Sequence, residues 1–109
     1  MALLPVQAVV AAGLTPTMAS AAAGGDKVPL GSANTWIEVA NGGGSSVTVT
    51  VTVQNNSYKG LTLPNRTVTV AASGSAKIPL DASLHGDTNN QASIGYSGVT
   101  SVTVGAFRI

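Results

Sequence analysis

Val47-Thr48-Val49-Thr50-Val51-Thr52-Val53 sets the fold class of this chain. Its two residue types are both β-branched, which disfavours a helix and suits the pleated surface of a sheet. Successive side chains of a strand point to opposite faces, so a spacing of two puts valine on one face and threonine on the other. The run therefore predicts a strand that buries its valines and exposes its threonines.

Shorter stretches repeat this alternation at residues 67–70, 94–96 and 102–104, and residues 35–39 read as a strand that buries Trp36 or Ile37. Turn-forming residues separate these runs about every ten residues, a spacing typical of sandwiches and small barrels. The sequence therefore predicts an all-β fold, a small antiparallel β-sandwich or barrel of about seven to eight strands. One short helix is expected around residues 81–85.

For three of the turns, the sequence predicts which strands they connect. Residues 41–45 include three consecutive glycines and predict a hairpin between the strand of Trp36 and the strand that begins at Val47. Residues 72–75 predict the turn that leads into the strand around Ile78. Gly98 is expected in the turn before the strand of Val102.

The composition excludes most kinds of functional site. The chain has 109 residues and no cysteine, which predicts one domain without disulfides, thiolate chemistry or Cys-ligated metal. Charged residues make up 8% of the chain, against about 25% in an ordinary soluble domain. The net charge of +1 gives no electrostatic reason to expect nucleic acid or an anionic membrane as a partner.

No arrangement of side chains in the sequence indicates catalysis. The acidic residues are Asp26, Glu38, Asp81 and Asp87, and the single histidine is His85. Acid–base and nucleophilic catalysis need groups held a few ångströms apart, and a zinc site needs further His or Cys ligands. We therefore expect a protein that is not an enzyme and that has no cofactor or metal ion.

Residues 1–25 contain no charged residue. A secretory signal normally begins with positive residues, and Pro5 and Gly13 interrupt any membrane-spanning helix. We expect an extended N-terminal arm or first strand over residues 1–25, followed by a β-sandwich or barrel domain over residues 26–109. The apolar residues expected to contact a partner are Leu3, Leu4, Val6, Val9, Val10 and Leu14. The alternative is that they form an ordinary first strand in the domain's own core.

The distribution of charge suggests an assembly. Residues 39–58 and 88–107 are strand-like and uncharged, whereas sheet proteins usually protect their edge strands with charged side chains. An unprotected edge promotes aggregation. We therefore expect other subunits to cover one sheet edge and the N-terminal segment.

Several short sequences resemble those of small structural proteins in the virions of tailed bacteriophages. They are AGLTPT at 12–17, AAAGGDK at 21–27, WIEVANG at 36–42 and YSGVTSVTVGAFRI at 96–109. The resemblance implies a capsid decoration, or cement, protein on the outer surface of the head. Its implied partners are the major capsid protein and further copies of itself, as a trimer or other homo-oligomer, and its implied location is the virion.

Two other functions are compatible with the sequence. A neck or tail protein of the same virion is the nearest alternative. A secreted β-sandwich that binds carbohydrate is the second, and it would require N-terminal cleavage near Ala23 and an exposed aromatic residue, Tyr58 or Trp36. Tyr58 lies in a polar stretch beside Lys59 and is the expected exposed aromatic contact.

Overall fold

The computed structural model describes the backbone of residues 2–31, 34–54 and 57–109, and their side chains except those of residues 2, 57, 58 and 83. These residues form twelve strands and one short helix. In chain order they are β1 (Ala2–Leu3), β2 (Val6–Ala8), β3 (Ala19–Ser20), β4 (Asp26–Pro29), β5 (Thr35–Asn41), β6 (Val47–Val51), β7 (Ser57–Tyr58), β8 (Leu61–Thr62), β9 (Arg66–Val70), β10 (Ser75–Pro79), α1 (Ala82–His85), β11 (Gln91–Tyr96) and β12 (Val102–Arg108).

Ten of the strands described form two five-stranded sheets that pack on each other. Sheet A has the order β1-β4-β11-β6-β9, and sheet B has the order β10-β5-β12-β2, with β3 also paired to β12. Strands β7 and β8 form a separate hairpin. The predicted all-β sandwich is confirmed, and the seven strands of at least four residues match the expected number. The pairing is antiparallel except for β1 with β4 and β2 with β12, which are parallel.

Alternate side chains of both sheets fill the core. In β6 the valines are buried and the intervening threonines are half-buried, which confirms the predicted two-faced strand. In β5, Ile37 and Val39 are fully buried, whereas the half-buried Trp36 lies on the opposite face with Glu38. Each buried aliphatic side chain contributes about 1.5–3 kcal/mol to folding, so these alternate positions supply most of the stability.

The chain passes from one sheet to the other at most connections. Strands β5 and β6 lie in different sheets, so the hairpin predicted at residues 41–45 is wrong. Asn41 stabilises the connection between β5 and β6. Its buried side-chain amide donates to the carbonyl of Ser45 at 2.7 Å and accepts from the N–H of Gly43 at 3.0 Å. The predicted turns at residues 72–75 and at Gly98 do lie between consecutive strands, and these strands too belong to different sheets.

The position of the uncharged stretches in the sheets explains their lack of charge without the covering subunits inferred from the sequence. They contain β6, β11, most of β12 and the last three residues of β5, all of which belong to interior strands of the two sheets. An interior strand is paired on both sides and needs no charged residue to block association. The edge strand β10 does carry such residues, Lys77 and Pro79. The low charge of residues 39–58 and 88–107 is therefore not evidence for a partner.

Much of the N-terminal segment packs against the sheets, and the extended arm is not confirmed. The chain leaves β1 at the edge of sheet A, crosses at Leu4 and Pro5, and continues as β2 along β12 of sheet B. Leu4 is 3% exposed in the core, and Val6 packs against the core. Strand β3 returns to pair with β12. Residues 9–18, between β2 and β3, form a largely exposed loop.

Helix α1 occupies the position of the expected short helix. Its last residue, His85, is 1% exposed, and its Nδ1 accepts a hydrogen bond from the backbone N–H of Asp81 at 3.0 Å. Burial and, to a smaller extent, the charge of Arg66 lower the pKa of His85, against the opposite effect of Asp81. The neutral imidazole is the form that can accept this bond at Nδ1.

Candidate interaction surface

The outer face of sheet B carries an aromatic pair. The register of β5 and β12 places Trp36 opposite Phe107, and the register of β5 and β10 places Trp36 opposite Pro79. The rings of Trp36 and Phe107 are stacked, with their centroids 5.9 Å apart and their planes at 30°. Phe107 is not part of the core between the sheets, although it is 4% exposed, so it is covered from outside by Trp36 and the residues around it.

The N-terminal loop of residues 9–18 is fixed over this face at two points. The side-chain amide of Gln7 donates to the carbonyl of Thr17 and accepts from its N–H, both at 2.8 Å. At the second point, a Cβ added to Gly105 would lie 2.8 Å from Sδ of Met18 and 3.0 Å from the Phe107 ring. The absence of a side chain at Gly105 therefore lets the loop and the aromatic ring approach the sheet closely.

Several apolar side chains of the loop and the sheet form one shallow surface, which we call the Trp36 face. A cleft of about 170 Å³ lies between Trp36 and Phe107 on one side and the loop on the other, and a second cleft joins Trp36 to Pro79 and the last residue, Ile109. The residues of the Trp36 face are Val9, Leu14, Pro16, Trp36, Pro79, Phe107 and Ile109.

The Trp36 face presents apolar groups to solvent. Ile109 is 74% exposed and Val9 is 39% exposed, and Val10, next to Val9 in the loop, is 54% exposed. The other large exposed hydrophobic residues described are Leu3, on β1, and Leu61, on β8. Because apolar residues exposed together mark interaction sites more often than those exposed singly, the Trp36 face is the strongest candidate for a contact surface.

One ion pair and one charged hydrogen-bond donor lie beside the Trp36 face. Lys77 Nζ lies 3.2 Å from Glu38 Oε1 on the same side of sheet B, and Arg66 donates from Nη1 to the carbonyl of Pro79 at 2.9 Å. An exposed ion pair stabilises a protein by about 0–1 kcal/mol, so the main consequence of the first contact is that the charges of Glu38 and Lys77 cancel. Arg66 keeps its positive charge, because a carbonyl oxygen has no charge to neutralise it. An apolar partner surface would meet no unpaired charge from Glu38 or Lys77.

Trp36 has one unusual feature. Its indole Nε1 is buried and has no hydrogen-bond partner among the described residues. A buried N–H without an acceptor costs about 1–3 kcal/mol, which the packing of the indole on Phe107 must offset. The position of Trp36 is thus set by apolar packing and not by a hydrogen bond.

The six N-terminal residues singled out in the sequence fall into three groups. Leu4 is buried in the protein's own core, as the alternative interpretation had it, and Val6 is half-buried against that core. Leu3 is exposed on the edge strand β1. Val9, Val10 and Leu14 belong to the loop beside Trp36. The side chain of Tyr58 lies outside the described residues, so its role as an exposed contact stays a prediction.

Sequence reasoning missed the outward position of Trp36 and Phe107. The sequence does contain an indication of it, because residues two apart in a strand lie on the same face of the sheet. Trp36 shares its face with the charged Glu38, and Phe107 shares its face with Gly105 and Thr103. Large aromatic residues usually lie in the core of a small domain, and the prediction followed that rule and not the alternation of the strand. Gln7, which ties down the loop, had no signal in the sequence.

The remaining polar clusters have structural roles. Asp26 is fully buried and its Oδ2 accepts a hydrogen bond from the Tyr96 hydroxyl at 2.7 Å, and burial followed by this bond raises the pKa of Tyr96. Lys27 Nζ lies 2.6 Å from Asp87 Oδ2, and this hydrogen bond lowers the pKa of Asp87. His85 is enclosed and uses its Nδ1 within the chain. None of these arrangements presents a nucleophile and a base to a substrate.

In the residues that the structure describes, no three His, Asp or Glu side chains gather into a group that could hold a metal ion. No helix among them is long and apolar enough to cross a membrane.

The chain was compared with known proteins in three ways. No protein-family model matches it, and neither a curated protein nor a solved structure matches it.

Proposed function

We propose that the protein is a non-enzymatic decoration, or cement, protein of a tailed-bacteriophage capsid, located on the outer surface of the virion. Its partners are the major capsid protein and further copies of itself, as a trimer or other homo-oligomer. The observation that carries the proposal is the Trp36 face, an apolar and nearly uncharged surface formed where the N-terminal loop crosses sheet B. The sequence likeness to small virion proteins supports the choice of partner.

The Trp36 face fits a role that depends on repeated contacts. A small apolar surface gives a weak contact by itself, but every further copy bound to the same lattice raises the effective concentration of the next contact. Trp36, which is stacked on the enclosed Phe107, is the kind of aromatic residue that dominates protein interfaces. Their positions are set in advance by the loop, held through Gln7 and Met18, which reduces the ordering cost of binding.

The first test is the amount of the protein in purified virions. Quantitative mass spectrometry should find the chain at a fixed, many-copy ratio to the major capsid protein. Absence from the virion contradicts the proposal. A few copies, located at the neck or tail, favour the alternative of a neck or tail protein.

The second test separates the Trp36 face from the rest of the surface. Ile109→Asp introduces a charge into this face, and Leu61→Asp introduces the same charge at a residue of similar exposure on the β7–β8 hairpin, 74% against 67%. Binding to capsids stripped of the protein should weaken about tenfold or more in the first variant and remain unchanged in the second. Equal binding of both variants would show that this surface is not the contact.

Deleting residues 1–14 would be a poor test of the N-terminal segment, since the deletion also removes the buried Leu4.

A carbohydrate-binding module is the second candidate, and one observation favours it. Trp36 also lines a cleft of about 710 Å³ together with Asn34, Arg66 and Asp81, a mixture of aromatic and polar groups suited to sugars. Secretion with cleavage near Ala23 would, however, remove Leu4 and Ala21 from the core. Saccharide binding that Trp36→Ala abolishes, with no binding to capsids, would support this second candidate.

A further inference from the structure

Strand β9 has one unpaired edge. It pairs with β6 on one side through residues 66–70 and ends sheet A on the other, where no described strand pairs with it. Backbone N–H and C=O groups along such an edge can pair with another strand. Apart from Arg66, which donates to the carbonyl of Pro79, the described residues of this edge make no hydrogen bond to the Trp36 face, which lies on sheet B.

The other edges of the two sheets are short or obstructed. Strands β1, β2 and β3 have two or three residues each. Strand β10 has five residues but contains Pro79, which has no N–H to donate, and Lys77, whose charge opposes association. Strand β9 is therefore the longest edge strand of the described sheets without a proline.

Strand β9 carries charge at its first residue alone, and its remaining residues are uncharged. Thr67 and Thr69 are its exposed side chains, and Val68 is half-buried between them. Its charged residue, Arg66, is engaged with the carbonyl of Pro79 across the gap to β10. The residues after Arg66, up to Ala76, are all uncharged.

The sequence of β9 is complementary to itself in one antiparallel register. A two-fold axis at Val68 places Val68 opposite Val68 of a second copy, Thr67 opposite Thr69 and Arg66 opposite Val70. Valine and threonine pairs of this kind stabilise antiparallel strands, and the register brings no like charges together. A two-fold pairing also covers both edges at once, whereas a head-to-tail pairing would leave one edge open at each end.

We propose that two copies of the chain associate through β9, joining their A sheets into one continuous ten-stranded sheet. This inference rests on the self-association contained in the proposed function and specifies its edge, its register and its two-fold symmetry. The Trp36 faces of both copies, on the B sheets, remain free for another partner. A five-residue strand pair is smaller than a standard interface, so the dimer should be weak and its population should depend on concentration.

The test compares two double variants that place like or opposite charges at the proposed pairs, and sedimentation equilibrium of the full chain measures dimerisation. Thr67→Lys with Thr69→Lys places lysine opposite lysine at both outer pairs and should weaken dimerisation about tenfold or more. Thr67→Lys with Thr69→Glu places lysine opposite glutamate at the same pairs and should restore dimerisation to at least the wild-type level. Because both variants share the first substitution, a difference between them reports the pairing.

The control adds the same charges one strand further into the sheet. Thr48→Lys with Thr50→Lys alters the residues of β6 that pair with Thr69 and Thr67 and should leave dimerisation within about threefold of wild type, since surface substitutions away from an interface have small effects. Circular dichroism establishes that each variant is folded.

Three outcomes would overturn the inference. They are a wild-type chain that stays monomeric at millimolar concentration, association that the double-lysine variant does not weaken, and a trimer indifferent to all four substitutions. Capsid binding is measured separately, so the two proposals fail in different ways. A monomer that decorates capsids contradicts only the β9 dimer, and a β9 dimer that does not bind capsids contradicts only the proposed function.

Discussion

The outer faces of the two sheets are built from similar alternating strands and differ in the side chains that they carry. On sheet A, β6 and β9 present rows of threonine. On sheet B, β5 and β12 present Trp36 and Phe107, and the N-terminal loop lies beside them. The first is an ordinary hydrated face of a sheet, whereas the second buries apolar groups that lie outside the core.

The difference shows which residues a thin sandwich can bury. Two packed sheets lie about 10 Å apart, a distance that interdigitating valine and isoleucine side chains fill. In β5 the inward positions are taken by Ile37 and Val39, and the larger Trp36 points outward. Sheet B therefore has a second apolar layer on its outer side, and the N-terminal loop provides part of its cover.

The largest expected effect comes from removing the buried ring of that second layer. Phe107→Ala should lower the free energy of unfolding by about 3–5 kcal/mol, because Phe107 is enclosed by Trp36 and the loop. Thr50→Ala on the outer face of sheet A should change it by about 0.5 kcal/mol or less. Urea unfolding followed by circular dichroism measures both variants. Similar losses for the two would contradict the contrast between the faces.

A smaller effect is expected where the loop approaches the sheet. Gly105→Ala places a methyl group against Met18 and the Phe107 ring and should destabilise the protein by about 1–3 kcal/mol through overpacking. Gly98→Ala is the matched control, since a Cβ there meets nothing within 4 Å. Amide exchange should also speed up in residues 9–18 of the first variant alone. Unchanged exchange would show that the loop does not depend on this contact.

Low pH should destabilise the protein through His85, which lies in α1 on the side of sheet A. Helix α1 contacts β11, and the carbonyl of Leu84 accepts a hydrogen bond from the N–H of Gln54 just beyond β6. The pKa of His85 is lowered in the folded protein, relative to about 6.5 in an unfolded chain. The stability that depends on neutral His85 is therefore complete above about pH 6.5 and is lost as the pH falls through the folded value. This effect should be the smallest of the three.

His85→Asn provides the control for the acid effect, since its amide oxygen can accept from the Asp81 N–H and does not titrate in this range. The free energy of unfolding should fall less steeply between pH 7 and about pH 5 in this variant than in the wild type. Equal slopes would show that His85 does not carry the acid sensitivity. The fluorescence of Trp36, the single tryptophan, should report the global transition in both proteins.

Local alternation of residues was enough to predict the sandwich and most of its longer strands. The run at residues 47–53 has a period of two, and that period depends only on neighbouring residues. Pairing between distant strands carries no such signal, and for this reason the predicted hairpin at residues 41–45 was wrong. The three glycines indicate a turn, but they do not tell whether the next strand joins the same sheet.

The candidate surface could be predicted only in part. The uncharged N-terminal segment drew attention to Val9, Val10 and Leu14, which the structure places in the loop beside Trp36; that they contact a partner stays a prediction. Leu4 could not be separated from them, since burial depends on the crossing between the two sheets and not on residue type. The low charge of the chain was also misleading, because it belongs largely to interior strands.

The central claim is that the Trp36 face is the surface that contacts the capsid. Hydroxyl-radical footprinting of the capsid-bound and free protein, read by mass spectrometry, tests it most directly. The account predicts that oxidation of Trp36 and Ile109 falls several-fold on binding, while that of Leu61, exposed on the separate hairpin, does not change. Equal oxidation of Trp36 and Ile109 in the two states, or protection confined to Leu61, would contradict it.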